Sequence, residues 1–272
     1  ALPIWTMSTG TMNACFGLLR RRQQQQILAA FVLLITATVI TTTTTVEAAT
    51  STGGQHHQQD HGVGITMMLP EWTTPLKEGD RVPDVTFFTR TRIDTHDDSN
   101  PFDWKLLTSG DYFSKKRVVL FALPGAFTPT CSSTHLPGYV TNYDMILDQD
   151  VDEVYCLSVN DAFVMRQWGL HQGLVEDKTI GSLGFEKVKL IPDGSASFTR
   201  GMGMSTLWDE TRGFGERSWR YSMVVDDGVI EKLFIEQPKI QNSVADPFEI
   251  SDAGTMLAYL KEVKAAKKKD EL

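Results

Sequence analysis

Cys131 is the residue best placed to do chemistry. It closes the stretch Arg117-Val-Val-Leu-Phe-Ala-Leu-Pro-Gly-Ala-Phe-Thr-Pro-Thr-Cys131. A thiol reacts as its thiolate, so a reactive cysteine needs surroundings that favour negative charge. Three local aids stand beside it. A helix starting here would turn backbone amides and the positive end of its dipole towards the sulfur. Thr128, one turn earlier, offers a hydroxyl to the sulfur or to a bound oxyanion. Pro124 and Pro129 stiffen the loop and screen it from bulk water. A cation is still required, and Arg217 and Arg220 flank the apolar run Trp219 to Val225. An arginine on a central strand is costly to bury unpaired. Arg220 is therefore expected to face a thiolate, a carboxylate or a ligand.

The remaining cysteines are Cys15 and Cys156. Their spacing suits neither a disulfide framework nor a zinc site. Cys131 is followed by Ser132, Ser133 and Thr134, so the Cys-x-x-Cys pair of a disulfide oxidoreductase is absent. His56-His57-Gln-Gln-Asp60-His61 has metal-binding residue types, but in a polar linker such histidines are read as solvated, and no metal site is expected.

The elements that must position Cys131 follow from periodicity. Val118 to Leu123 reads as a buried strand ended by Pro124-Gly125. Residues 132–149 read as a helix with Pro137 in its first turns, where a missing amide is tolerated. Val154 to Val159 is a second buried strand, and Asn160-Asp161 cap a helix over Ala162 to Leu170. Lys187 to Ile191 is a third strand, and Ser197 to Met204 a short helix whose Met-rich Gly201-Met-Gly-Met204 is read as core or interface. Tyr221 to Val225, the Asp226-Asp227-Gly228 turn and Val229 to Ile235 form a hairpin. Ser251 is expected to cap a last amphipathic helix to about Ala265, with Met256, Leu257, Leu260 and Val263 on one face. A short strand near Phe88 comes before all of these, and residues 90–115 read as polar. Strands alternating with helices, then a closing hairpin and helix, make an α/β fold of the thioredoxin type, a single domain with a central mixed sheet flanked by helices.

Both ends of the chain read as addresses. Arg20-Arg21-Arg22 precede the 14 mostly apolar residues Ile27 to Ile40, and Val46-Glu47-Ala48 suits cleavage after Ala48. Residues 1–48 are thus read as a signal peptide, or as a signal anchor if uncleaved, which would be the one route to a membrane. Residues 49–69 form a flexible linker, 70–265 the folded domain, and 266–272 a basic tail. Lys269-Asp-Glu-Leu272 matches a retention signal, which places the protein in the endoplasmic reticulum lumen. The net charge is −8, and removing residues 1–48 makes it more negative, which argues against nucleic acid as a partner.

Pro124-Gly-Ala-Phe-Thr128-Pro-Thr-Cys131-Ser-Ser-Thr-His135-Leu-Pro-Gly138 resembles the active-site signature of the peroxiredoxins, a redoxin family, and is most similar to its type II (plant-type and mitochondrial-type) subfamily. Gly79-Asp-Arg-Val-Pro-Asp-Val85, Val151 to Asp161 and Gly213 to Gly228 resemble three further motifs in family order. The resemblance covers about residues 70–264. It implies a thiol-dependent peroxidase that reduces hydrogen peroxide and alkyl hydroperoxides without metal or organic cofactor. It makes Cys131 the peroxidatic nucleophile. Thr128 then bonds peroxide and thiolate, Arg220 favours the thiolate and stabilises charge leaving on oxygen, and Pro124 shields the site. Cys156, 25 positions after Cys131, resembles the resolving cysteine of plant-type members, although a small core hydrophobe is the plain alternative. His135 and Arg217 stand as further site candidates, each with a structural reading beside it. Glutaredoxin, glutathione or thioredoxin is the implied reductant, and a homodimer with Phe127 at its contact the implied assembly.

Two other functions suit the same residues. One is a peroxide sensor or chaperone-like holdase switched by Cys131 oxidation. The other is a thioredoxin-fold disulfide oxidoreductase, weakened by the missing second cysteine.

Overall fold

A computed structural model describes residues 74–93 and 101–270. The candidate signal segment, Cys15, the His56–His61 group and the last two residues lie outside the described residues.

The centre is a five-stranded mixed sheet. Its strands are β3 (Arg117–Ala122), β4 (Glu153–Ser158), β5 (Lys189–Pro192), β8 (Tyr221–Asp226) and β9 (Val229–Ile235), in the order β5-β4-β3-β8-β9. β3 runs parallel to β4 and antiparallel to β8. Every residue of β3 is buried, as expected of a strand covered on both faces, where the sequence must be continuously apolar rather than alternating. Two hairpins flank the sheet: β1 (Thr86–Arg92) with β2 (Phe102–Thr108), and β6 (Ser205–Trp208) with β7 (Gly215–Ser218). The helices are α1 (Ser109–Phe113), α2 (Leu136–Leu147), α3 (Ala162–His171), α4 (Ser197–Gly201) and α5 (Ala253–Asp270).

The pleat of β3 divides the core in two. Val119, Phe121 and Leu123 face Leu136, Tyr139 and Ile146 of α2 and Met256, Leu257 and Leu260 of α5. Val118, Leu120 and Ala122 face Phe87, Phe113, Phe198, Met202, Met204 and Trp219. Each such Val, Leu or Phe contributes about 1.5–3 kcal/mol by leaving water. Cys131 and Cys156 both belong to the first half.

Several boundaries differ from the expectation. Residues 90–115, read only as polar, contain β2 and α1. In β2, Trp104 and Leu106 point outward beside Asp103, so the run lacks an alternating signature. The helix after Ser197 ends at Gly201, and β6 starts at Ser205. Asp252, not Ser251, caps α5: its Oδ1 accepts from the amides of Gly254 and Thr255 at 2.8 and 3.1 Å. That helix runs on to Asp270, five residues past the expected end. Asp161 caps α3 as expected, accepting from Phe163 and Val164, each at 2.9 Å.

Candidate active site

β3 delivers the chain to the carboxyl ends of the parallel strands, and the loop from Pro124 to Thr128 crosses there. The loop is bonded to itself and to its neighbour. The Thr128 hydroxyl donates to the Gly125 carbonyl at 2.8 Å, and Ala126 N–H donates to Asn160 Oδ1 at 3.0 Å. Asn160, which follows β4, is itself fixed by the Ser158 hydroxyl at 2.8 Å. Phe127 takes a left-handed backbone, φ 64°, and its ring is half exposed. A Cβ on Gly125 would lie 2.7 Å from Arg217 Nη1, so a side chain there would push that guanidinium away from the loop.

Pro129 opens the helix, where its lack of an amide is harmless, and Cys131 falls in the first turn. Backbone amides there have no intrahelical acceptor. From Cys131 to His135 the turn widens: Leu136 N–H reaches back five residues to the Cys131 carbonyl. Wide turns of this kind recur at functional sites. Trp168 of α3 anchors the turn, its indole N–H donating to Ser132 Oγ at 3.0 Å.

Arg220, in the link from β7 to β8, is fully buried and completes the cluster. Its Nη2 lies 3.6 Å from Cys131 Sγ and also donates to Asp246 Oδ1. Its Nη1 lies 3.0 Å from His135 Nδ1. A guanidinium only donates, so His135 Nδ1 accepts. The proton then sits on Nε2, which donates to the Ser251 carbonyl at 3.2 Å. Burial, and next the Arg220 charge, hold the His135 pKa well below its ordinary value, so the ring is neutral. Arg220 Nε is buried without an acceptor among the described residues.

Of the expected residues, Arg220 touches both Cys131 and His135, while the Thr128 hydroxyl is turned to the Gly125 carbonyl. Pro124 and Arg217 form the rim, where Arg217 Nη1 reaches the Pro124 carbonyl at 3.5 Å and its Nε the Phe214 carbonyl at 2.8 Å. Burial lowers the Arg217 pKa, and Cys131 opposes that shift. Cys156 stands apart on β4, paired in register with Phe121 and fully buried. Burial, and then Cys131 nearby, push its thiol well above the ordinary range. Both cysteines are free.

Sequence reasoning missed Asp246, Phe248 and Glu236. Phe248 lies against Arg220, ring centroid 5.5 Å from Cζ. Glu236 Oε1 accepts from the amides of Glu249, Ile250 and Ser251 at 2.9, 2.9 and 2.8 Å, and from the Ser251 hydroxyl at 2.7 Å. Burial alone would raise its pKa, but these donors outweigh it and the carboxyl is shifted down. The one available signal was the expectation that a buried Arg220 needs a carboxylate.

The Redoxin family matches residues 77–257. The chain is 53% identical over 186 residues to a peroxiredoxin of Synechocystis sp., covering 68% of this chain and 92% of that one. This chain belongs to the peroxiredoxin family. A chloroplastic peroxiredoxin-2E-2 of Oryza sativa is 39% identical over 160 residues, 58% of this chain and 64% of that one, and points to the type II branch. The crystal structure of reduced Prx3 from Vibrio vulnificus in complex with H2O2 has a TM-score of 0.54 at 36% identity, covering 69% of this chain and 98% of that one. This peroxiredoxin is thus a thiol-dependent peroxidase with a thioredoxin-type fold, acting on peroxides with electrons from a thiol partner. The sensor, holdase and disulfide oxidoreductase readings are not favoured.

Proposed function

We propose that Cys131 is the peroxidatic thiol of this enzyme. The observation that carries the reading is the buried Arg220 guanidinium 3.6 Å from Cys131 Sγ. The Cys131 thiolate attacks one oxygen of the hydroperoxide. The S–O bond forms as the O–O bond breaks, and the electron pair leaves on hydroxide or alkoxide, which takes a proton to become water or alcohol. Arg220 stabilises that developing charge, where a fixed donor in a dry site acts most strongly. Its unmatched Nε–H is a further donor for the departing oxygen. The Thr128 hydroxyl retains lone pairs that accept from a peroxide O–H. Pro124 keeps bulk water away.

Cys131 then carries a sulfenic acid. Cys156 attacks that sulfur, water leaves and a disulfide forms, or an external thiol does the same. Disulfide formation needs Cα atoms within about 7 Å and a deprotonated attacker, and we infer that the Cys131 turn unwinds for the Cys156 route. Burial keeps the Cys156 thiol raised in the folded state. Glutaredoxin, glutathione or thioredoxin returns the enzyme to its reduced form. The active form is a homodimer, with half-exposed Phe127 at the contact. The end segments of the sequence support residence in the endoplasmic reticulum lumen: the candidate signal at residues 1–48 and Lys269-Asp-Glu-Leu272.

The test is mass spectrometry under non-reducing conditions after one equivalent of peroxide. A Cys131–Cys156 bond is expected in the wild type. Cys131 sulfenic acid without that bond would assign resolution to an external thiol, and an unmodified Cys131 would sink the reading. Removing Lys269–Leu272 should send the protein out of the cell, and unchanged retention would contradict the lumenal assignment.

A further inference from the structure

Arg220 makes an ionic contact that the proposed chemistry leaves unused. Its Nη2 is shared between Cys131 Sγ and Asp246 Oδ1. The Arg220 side chain is 0% exposed and that of Asp246 32%, so the carboxylate meets the guanidinium from the solvent side while the sulfur meets it from within. Asp246 sits in the connection from β9 to α5, and that connection is pinned. Glu236 gathers the amides of Glu249, Ile250 and Ser251, and Ser251 in turn accepts from His135 and from Tyr139 OH. Asp246 lies three residues before this pinned stretch, and its carboxylate closes on Arg220.

We propose that Asp246 is a positioning residue for peroxide reduction, one that holds the Arg220 guanidinium against Cys131 while taking up part of its charge. The inference rests on Cys131 as the peroxide-reactive thiol. It has two consequences of opposite sign. With the carboxylate present, part of the guanidinium charge is balanced from the solvent side, so less of it reaches the sulfur. With it absent, the donors are no longer aimed, so the rate falls once the thiol is ionised. The other groups facing this cluster are neutral His135 from the turn, Arg217 from β7, Cys156 from β4, Tyr139 from α2 and Glu236 from the end of β9. Among the described residues, Asp246 is the carboxylate paired with Arg220.

The experiment is the pH–rate profile of single-turnover oxidation by hydrogen peroxide for the full reduced chain, as wild type, Asp246→Asn and Asp246→Glu. The alkylation rate of Cys131 is followed over the same pH range as a second readout. Asparagine keeps the shape and removes the charge. Its acid limb should move to lower pH by about half to one unit in both readouts, and its plateau should fall about tenfold. Asp246→Glu should recover most of both. Profiles that superimpose on wild type overturn the proposal. So does a rate loss with an unmoved acid limb, which is what a merely structural residue gives. Cys131→Ser run alongside separates the two layers. If it still turns over at the wild-type rate, the Cys131 reading fails. If it is inactive while Asp246→Asn matches wild type, only the role of Asp246 fails.

Discussion

Cys131 and Cys156 lie in the same half of the core, and both are fully buried. Their surroundings differ in every other respect. Cys131 sits in the first turn of an irregular helix, with a guanidinium 3.6 Å from its sulfur and a loop of Pro124, Gly125 and Thr128 beside it. Cys156 sits in the middle of β4, laddered to β3 and β5, in register with Phe121 and Leu190. Arg220 favours its ionised form as well, but burial outweighs that pull and the thiol is driven up. If Cys131 is the peroxidatic thiol, as proposed, burial alone does not decide reactivity: the backbone must also end its own hydrogen bonding near the sulfur, with a cation beside it.

The contrast can be broken from either side. Cys131→Ser should abolish catalytic peroxide consumption, a loss of more than about a thousandfold given that the thiolate is the nucleophile; turnover within tenfold of wild type would remove the distinction between the two cysteines. Arg220→Ala should slow single-turnover oxidation about a hundred- to a thousandfold, the usual size for losing one donor aimed at a developing oxyanion. Stopped-flow fluorescence reads it, and an unchanged rate would detach Arg220 from the chemistry. Glu236→Gln acts at one remove, by loosening the segment that fixes Ser251. It should cost about 1–3 kcal/mol in denaturant unfolding, because glutamine keeps an acceptor oxygen but the bonds lose their charge assistance. The Glu236 carboxyl is shifted down in the folded state, so its contribution is complete above the ordinary glutamate range and is lost as pH falls through the folded value. The variant should therefore lose less stability than wild type on acidification, and equal acid sensitivity would contradict this. Cys156→Ser should change the first oxidation by less than about twofold, because burial keeps its thiol raised. A large change there would mean that the two sulfurs act together from the start.

The sequence was most legible where a single physical rule dominates. After Arg117, β3 is an unbroken apolar run because both its faces are covered, and the β8–β9 hairpin is announced by Asp226-Asp227-Gly228 between two β-rich runs. The loop and Cys131 follow from the strand end, and Arg220 from the cost of burying a cation. β2 was hidden because Trp104 and Leu106 face outward, and β6 and β7 because four-residue strands bearing Glu216 and Arg217 carry too little pattern. Asp246 had no local signature at all. It lies in an irregular stretch between β9 and α5, and only the folded chain brings it to a residue 26 positions away. What remained unreadable is thus the polar shell around the cation, since side-chain pairing across irregular segments has no period.

The difference between the two cysteines is tested most directly by treating reduced Cys131→Ser and Cys156→Ser separately with one equivalent of hydrogen peroxide and trapping sulfenic acid for peptide mapping. The expected result is rapid, near-stoichiometric labelling of Cys131 in Cys156→Ser and negligible labelling of Cys156 in Cys131→Ser. Labelling of Cys156 at a comparable rate would contradict the account.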